Sequence, residues 1–161
     1  MFKFFYLPGS CALASQIALE DAGAEYELIR LDGKSGEQRS AEYLAINPKG
    51  RVPALVTGRG AITENPAILA FIAQSFPEAG LAPLDDAFAF AELQAFNAYL
   101  CSTVHVAHAH GLRGTRWATK QASLDDMKDK VPENMAAAFD IIERTMFRGP
   151  WVMGDTYTIA D

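Results

Sequence analysis

The sequence predicts a small α/β domain followed by an all-helical one. Three observations carry this expectation. Strand-like and helix-like segments alternate up to about residue 76, the Pro- and Gly-bearing stretch PEAGLAPLDD interrupts them, and from about Asp86 onward strand signals stop. The 161 residues suffice for one or two domains with a sizeable core.

The elements follow in order. Phe2 to Tyr6 is a short aromatic strand, ended by Pro8 and Gly9. Ser10 is placed to N-cap a helix reaching about Ala22, with Leu13, Ile17 and Ala18 as its apolar stripe and Gly23 at its C-terminus. EYELIRL, residues 25–31, alternates as a second strand; polar DGKSGEQ follows, then a short helix around residues 41–45. RVPALV and AITE read as two strands joined by the turn TGRG, and NPAILAFIAQSF as a third helix with proline in its first turn. The β-α-β start implies a parallel pair, and the TGRG turn an antiparallel hairpin. The second half reads as one long amphipathic helix through Phe88, Glu92, Phe96 and Tyr99, then a region from Ser123 to about Phe147 that Pro132 kinks or restarts. The boundaries drawn are 1–77, a linker at 78–86, and 87–161.

Composition narrows the function. Half the residues are apolar and 21% charged, an ordinary globular balance. The net charge of −6 offers no basic footprint for nucleic acid. No apolar run reaches the length of a membrane span, and the N-terminus lacks the pattern of a signal peptide. Cys11 and Cys101 have no zinc-like spacing; free thiols in a reducing cytoplasm are the expectation, with a disulfide between them as the alternative.

Four stretches carry chemistry. In VPAL (52–55), Pro53 removes a ladder bond; a cis bond before it would turn the Val52 backbone toward an extended ligand, whereas a trans edge-strand proline is the plain alternative. In TENPAI (63–68), Glu64 and Asn65 stand at a helix entrance that favours an anion, such as a substrate carboxylate, with Glu64 accepting from an ammonium; simple capping by Asn65 competes. Cys11 opens the first helix, where the dipole favours a thiolate, yet a small buried cysteine fits equally. Pro8 stands where a two-cysteine redox motif needs its second thiol, so Cys11 has no resolving partner there. In VHVAHAHG, His105 and His108 share a helix face, but no further ligands complete a metal site; satisfied core or cleft histidines are the competing reading, and no metal is expected.

Taken together, YLPGSCALA, AINPKGRVPAL, TENPAILAFIA and GDTYTIAD resemble, in order, the signatures of cytosolic glutathione transferases, and most closely the bacterial beta class. The resemblance implies a thioredoxin-like domain followed by a helical bundle domain, and further helices beyond Asp161. It makes Pro53 a cis-proline, with Val52 pairing its backbone to the cysteinyl part of glutathione. Glu64 and Asn65 would hold the γ-glutamyl end, and Lys34 or Arg51 would lie near the glycyl carboxylate. Asn65 departs from the serine usual in the wider family, and the loop bearing Lys34 is short. Cys11 falls on the beta-class cysteine beside the glutathione sulfur, Ser10 is a second possible donor to that sulfur, and His105 matches a histidine sent into the cleft from the helical domain.

The implied activity is conjugation of glutathione to an apolar electrophile. Two rivals are a thiol-disulfide oxidoreductase cycling Cys11 through a glutathione mixed disulfide and a non-catalytic glutathione- or ligand-binding module. A cytoplasmic homodimer is implied, with neither a membrane nor a nucleic-acid partner. At the end of the chain, TIAD reads as a helix start, with Thr158 the N-cap, Asp161 at the third position and Tyr157 the first half of a staple.

Overall fold

The computed structural model describes residues 1–161 as two compact units, Met1–Ala87 and Phe88–Asp161. In the first, β1 (Phe2–Tyr6), α1 (Ala12–Asp21), β2 (Tyr26–Arg30), α2 (Ala41–Ile46), β3 (Ala54–Thr57), β4 (Gly60–Thr63) and α3 (Asn65–Ser75) follow one another. The sheet order is β2-β1-β3-β4, with β1 parallel to β2 and antiparallel to β3, and β3 antiparallel to β4. This is the thioredoxin-like arrangement expected from the sequence.

The pleat divides the core. Phe4 lies opposite Leu55 in register, and both are fully buried. The next pair, Phe5 and Ala54, faces the other way into a cluster with Leu31 and Tyr43 of α2. Helices α1 and α3 pack on each other, and Leu19, Ile68 and Ile72 are fully buried. Each such side chain contributes about 1.5–3 kcal/mol of burial.

The stripe assigned to α1 needs correcting. Leu13 and Ile17 are exposed, and the buried residues are Ala12, Ser15, Ala18 and Leu19. Small residues face inward there because α3 approaches closely, and that approach makes room for a buried serine. The Thr57–Gly60 hairpin closes with the Thr57 hydroxyl donating to the Gly60 carbonyl and accepting the Arg59 N–H, each at 3.0 Å.

The second unit comprises α4 (Ala87–Tyr99), a π-helical turn at Leu100–Val104, α5 (His105–Arg113), α6 (Gln121–Ile141) and a second π-helical turn at Ile142–Met146. Helix α6 begins at Gln121 rather than Ser123 and runs through Pro132. Pro132 and Lys128, whose carbonyl the proline leaves without its helical donor, are both exposed, so water can satisfy that carbonyl. Gly114 is a steric necessity at the α5–α6 turn: a Cβ there would lie 3.1 Å from Leu124 and 3.2 Å from Met127.

The final loop folds onto Asp161. Its carboxylate accepts the Val152 N–H at 2.8 Å and the Thr158 N–H at 2.9 Å, while the Thr158 hydroxyl accepts the Ala160 N–H at 3.2 Å. The Asp161 carboxylate thus reaches back to the Thr158 N–H as the TIAD reading expects, while the Thr158 hydroxyl takes the Ala160 N–H and not that of Asp161. Tyr157 packs edge-on against Trp151, and Arg148 forms a two-pronged ion pair with Glu92.

At the start of β2, Tyr26 donates a short hydrogen bond to Glu20. Burial, and then the Glu20 carboxylate, push the Tyr26 phenol up from 10.0 to about 12. A group whose folded pKa is raised binds its proton more tightly when folded, so its contribution is complete below pH 10 and is lost as pH climbs toward 12. Urea unfolding at about pH 9 and about pH 11.5 should therefore show a fall in stability that Tyr26→Phe reduces. Equal falls in both proteins would refute this assignment.

Candidate active site

Three sequence-distant segments meet at the end of the sheet where α1 and α3 begin. The first is the turn after β1. There the Ser10 hydroxyl donates to the Leu7 carbonyl at 2.7 Å and accepts the Ala12 N–H at 3.3 Å. Ser10 thus helps start α1, and its one hydroxyl proton is directed at Leu7 rather than at a ligand. Cys11 follows at the helix boundary with an exposed thiol, so the small buried cysteine is excluded; it forms no disulfide with Cys101.

The second segment precedes β3. The Tyr43 hydroxyl and the Asn47 amide each donate to the Arg51 carbonyl at 2.6 Å, and both residues are buried. Two donors on one carbonyl fix the chain before Val52–Pro53, whose peptide bond is cis. Val52 lies outside the β3 ladder, and its carbonyl sits 4.0 Å from the Cys11 Sγ as acceptor of the thiol.

The third segment is the entrance to α3. Asn65 does not cap the helix. Its amide donates to the Cys11 carbonyl at 2.7 Å, and its oxygen accepts the hydroxyl of fully buried Ser15 at 2.6 Å. The N-cap position belongs to Glu64, the one non-glycine residue with positive φ, at 75°. A side chain held in that sparsely allowed region costs about 1–3 kcal/mol, and such strain clusters at functional positions. Glu64 is exposed and ion-paired with Lys49, which also donates to the Thr63 hydroxyl at 2.7 Å.

Of the expected residues, Cys11, Val52, Pro53, Glu64 and Asn65 are brought together. Arg51 joins them through its backbone, with its side chain in solvent. Lys34 is not tied to them: its backbone N–H donates to Asp32, and that bond leads the causes holding the Asp32 carboxyl below its ordinary range. His105 opens α5 in the other unit. No group of three or more His, Cys, Asp or Glu side chains is arranged to hold a metal. Sequence reasoning missed Ser15, Tyr43, Asn47 and Lys49. Ser15 had a signal, as a small polar residue on the buried side of α1, and Asn47 and Lys49 both stood in the quoted motif AINPKGRVPAL.

Residues 1–74 match the family model described as glutathione S-transferase, N-terminal domain. Glutathione S-transferase GstA of Escherichia coli O157:H7 is 30% identical over 162 residues, which cover 99% of this chain and 77% of the relative. The chain belongs to the glutathione S-transferase family. Among solved structures of this family, a glutathione transferase homologue from Sulfitobacter with bound glutathione is 45% identical, with a TM-score of 0.94 over 99% of this chain and 77% of that one. A bacterial beta class glutathione S-transferase from Sphingomonas chungbukensis is 28% identical, with a TM-score of 0.82 over 98% and 76% of the two chains. No helix of this transferase is long and apolar enough to cross a membrane.

Because Asn65 joins α1 to α3, Asn65→Ala should cost about 1–3 kcal/mol by leaving the buried Ser15 hydroxyl unpaired. It should also change the rate at which Cys11 reacts with a thiol reagent, since the Cys11 carbonyl loses its anchor. Urea midpoints and thiol-labelling rates measure the two effects. An unchanged midpoint would show that the bridge contributes nothing.

Proposed function

We propose that this chain is a beta-class-like glutathione transferase that conjugates glutathione to an apolar electrophile. The observation that supports this best is the meeting of Cys11, Val52 and Asn65, with the thiol 4.0 Å from the Val52 carbonyl and Asn65 holding the Cys11 backbone. The Val52 backbone stands outside the ladder, available to an extended peptide thiol. In this reading Glu64 and Asn65 take the γ-glutamyl end, Val52 and Pro53 the cysteinyl part, and Arg51 or Lys34 the glycyl carboxylate. Lys34 would have to swing in from its loop, which makes Arg51 the better supported of the two.

The bound thiol passes its proton to solvent water, and the positive ends of α1 and α3 favour the thiolate left behind. One pKa unit corresponds to about 1.4 kcal/mol, within what a partly buried helix terminus supplies. The glutathione sulfur then bonds to the electrophilic carbon while the leaving group departs with its electron pair. Cys11 contacts the sulfur, Ser10 is a reserve donor that would first have to release Leu7, and His105 serves the second substrate. Residues 1–77 form the glutathione-binding domain, 78–86 the linker and 87–161 the helical domain. The working form is a cytoplasmic homodimer.

The exposed Cys11 thiol favours a second reading. Its thiolate would attack a glutathione mixed disulfide, releasing the partner thiol, and a second glutathione would then restore Cys11 and leave as glutathione disulfide. Calorimetric titration with glutathione, followed by conjugation and deglutathionylation assays on wild type and Cys11→Ser, distinguishes the two. A transferase retains most conjugation in the variant, whereas an oxidoreductase loses deglutathionylation entirely. Glutathione binding with both assays blank would indicate a binding module, and absence of binding would refute all three readings.

A further inference from the structure

We propose that the second unit holds a binding site for a small neutral phenol, built between α4, the π-helical turn after α6 and the final loop. The site lies wholly within that unit and does not rest on the glutathione reading.

The starting point is a cavity of about 180 Å³ whose lining includes Glu92, Phe96, Met146, Arg148, Val152 and Met153. Glu92 and Phe96, four residues apart, share a face of α4, and Met146 ends the π-helical turn. An apolar cavity of about 150 Å³ admits benzene, so this one has room for a single ring with one small substituent.

The loop wall holds the space open. The Arg148 N–H donates to the Val152 carbonyl at 3.2 Å, and the Val152 N–H donates to Asp161 at 2.8 Å. Trp151 and Gly154 exchange two backbone bonds, at 3.0 and 3.1 Å, across the turn that carries Met153. Collapse of the loop onto the cavity would break these bonds, so the space is preformed.

The lining then selects the ligand. Phe96 and Val152 are buried and both methionines partly so, and an aromatic ring gains contact with the thioethers and the Phe96 ring. The polar side is the Glu92–Arg148 pair, bonded at 2.5 and 3.3 Å. The neighbouring Thr145 hydroxyl already donates to the Ile141 carbonyl at 2.7 Å. The two charges of the pair cancel, yet the carboxylate keeps free lone pairs and the guanidinium keeps unused N–H groups. A ligand carboxylate would be repelled by Glu92, and a ligand ammonium by Arg148. A hydroxyl donates to one partner and accepts from the other without breaking their bond.

The test follows the methyl groups of all five methionines by NMR, on the intact chain with glutathione present. Phenol should shift the Met146 and Met153 signals together and saturably, with a dissociation constant on the order of 1 mM, while Met1, Met127 and Met135 stay in place. Anisole, which cannot donate, should bind roughly fivefold more weakly, and benzoate weaker still. Glu92→Gln uncovers the Arg148 charge, so benzoate should now bind more tightly than phenol. Met153→Trp fills the space and should weaken phenol at least tenfold while glutathione binding, read by calorimetry, is unchanged. Circular dichroism identifies any variant that misfolds, and the methyl shifts of the unsubstituted chain then decide. The absence of saturable shifts at Met146 and Met153, shifts spread over all five methyls, or benzoate binding as tightly as phenol before substitution would each overturn the inference. Loss of glutathione binding would count only against the functional reading above.

Discussion

The site depends on one side chain. Asn65 donates to the Cys11 carbonyl and accepts from the buried Ser15, so the first residue of α3 is bonded to both the first turn and the interior of α1. The consequence is geometric. Two helix N-termini are held side by side at one end of the sheet, each with a partial positive charge and outward N–H groups. A thiolate or carboxylate arriving there meets a field that neither helix supplies alone. Alanine would leave both contacts unmade.

A second constraint complements it. The Arg51 carbonyl takes two hydrogen bonds, from Tyr43 and Asn47, and these orient the peptide before Val52. The donors are buried and the groups they organise are not, so rigidity comes from the core and function faces solvent. Glu64 is the cost of the arrangement. Its backbone occupies a region that glycine tolerates better, yet glycine would give up the carboxylate now paired with Lys49.

Much of the fold was legible because strands and helices of the first unit carry their own punctuation. Pro8 and Gly9 end β1, TGRG closes the hairpin, and Pro66 marks the first turn of α3. The errors arise where tertiary contacts override pattern. Leu13 and Ile17 look like a core stripe but stand in solvent, because close packing of α1 against α3 selects small residues instead. Pro132 looks like a break, but on an exposed face its lost hydrogen bond costs little. The π-helical turns at Leu100–Val104 and Ile142–Met146 have no composition that announces them. At the site, Cys11, Val52 and Glu64 were marked by residue type and motif. Ser15 and Lys49 act through contacts made only in three dimensions.

The sequence positions of these contacts have a consequence for how the chain comes into being. Tyr43 and Asn47 reach Arg51 across a few residues, so that loop closes at small entropic cost. The last link, from Asn65 to Cys11 and Ser15, is available once the start of α3 has emerged during synthesis. The thiol-bearing cluster can therefore assemble while the helical unit is still being translated, in keeping with domains forming from the N-terminus onward. The nascent chain would then present a shaped but solvent-open thiol before any of the second unit exists.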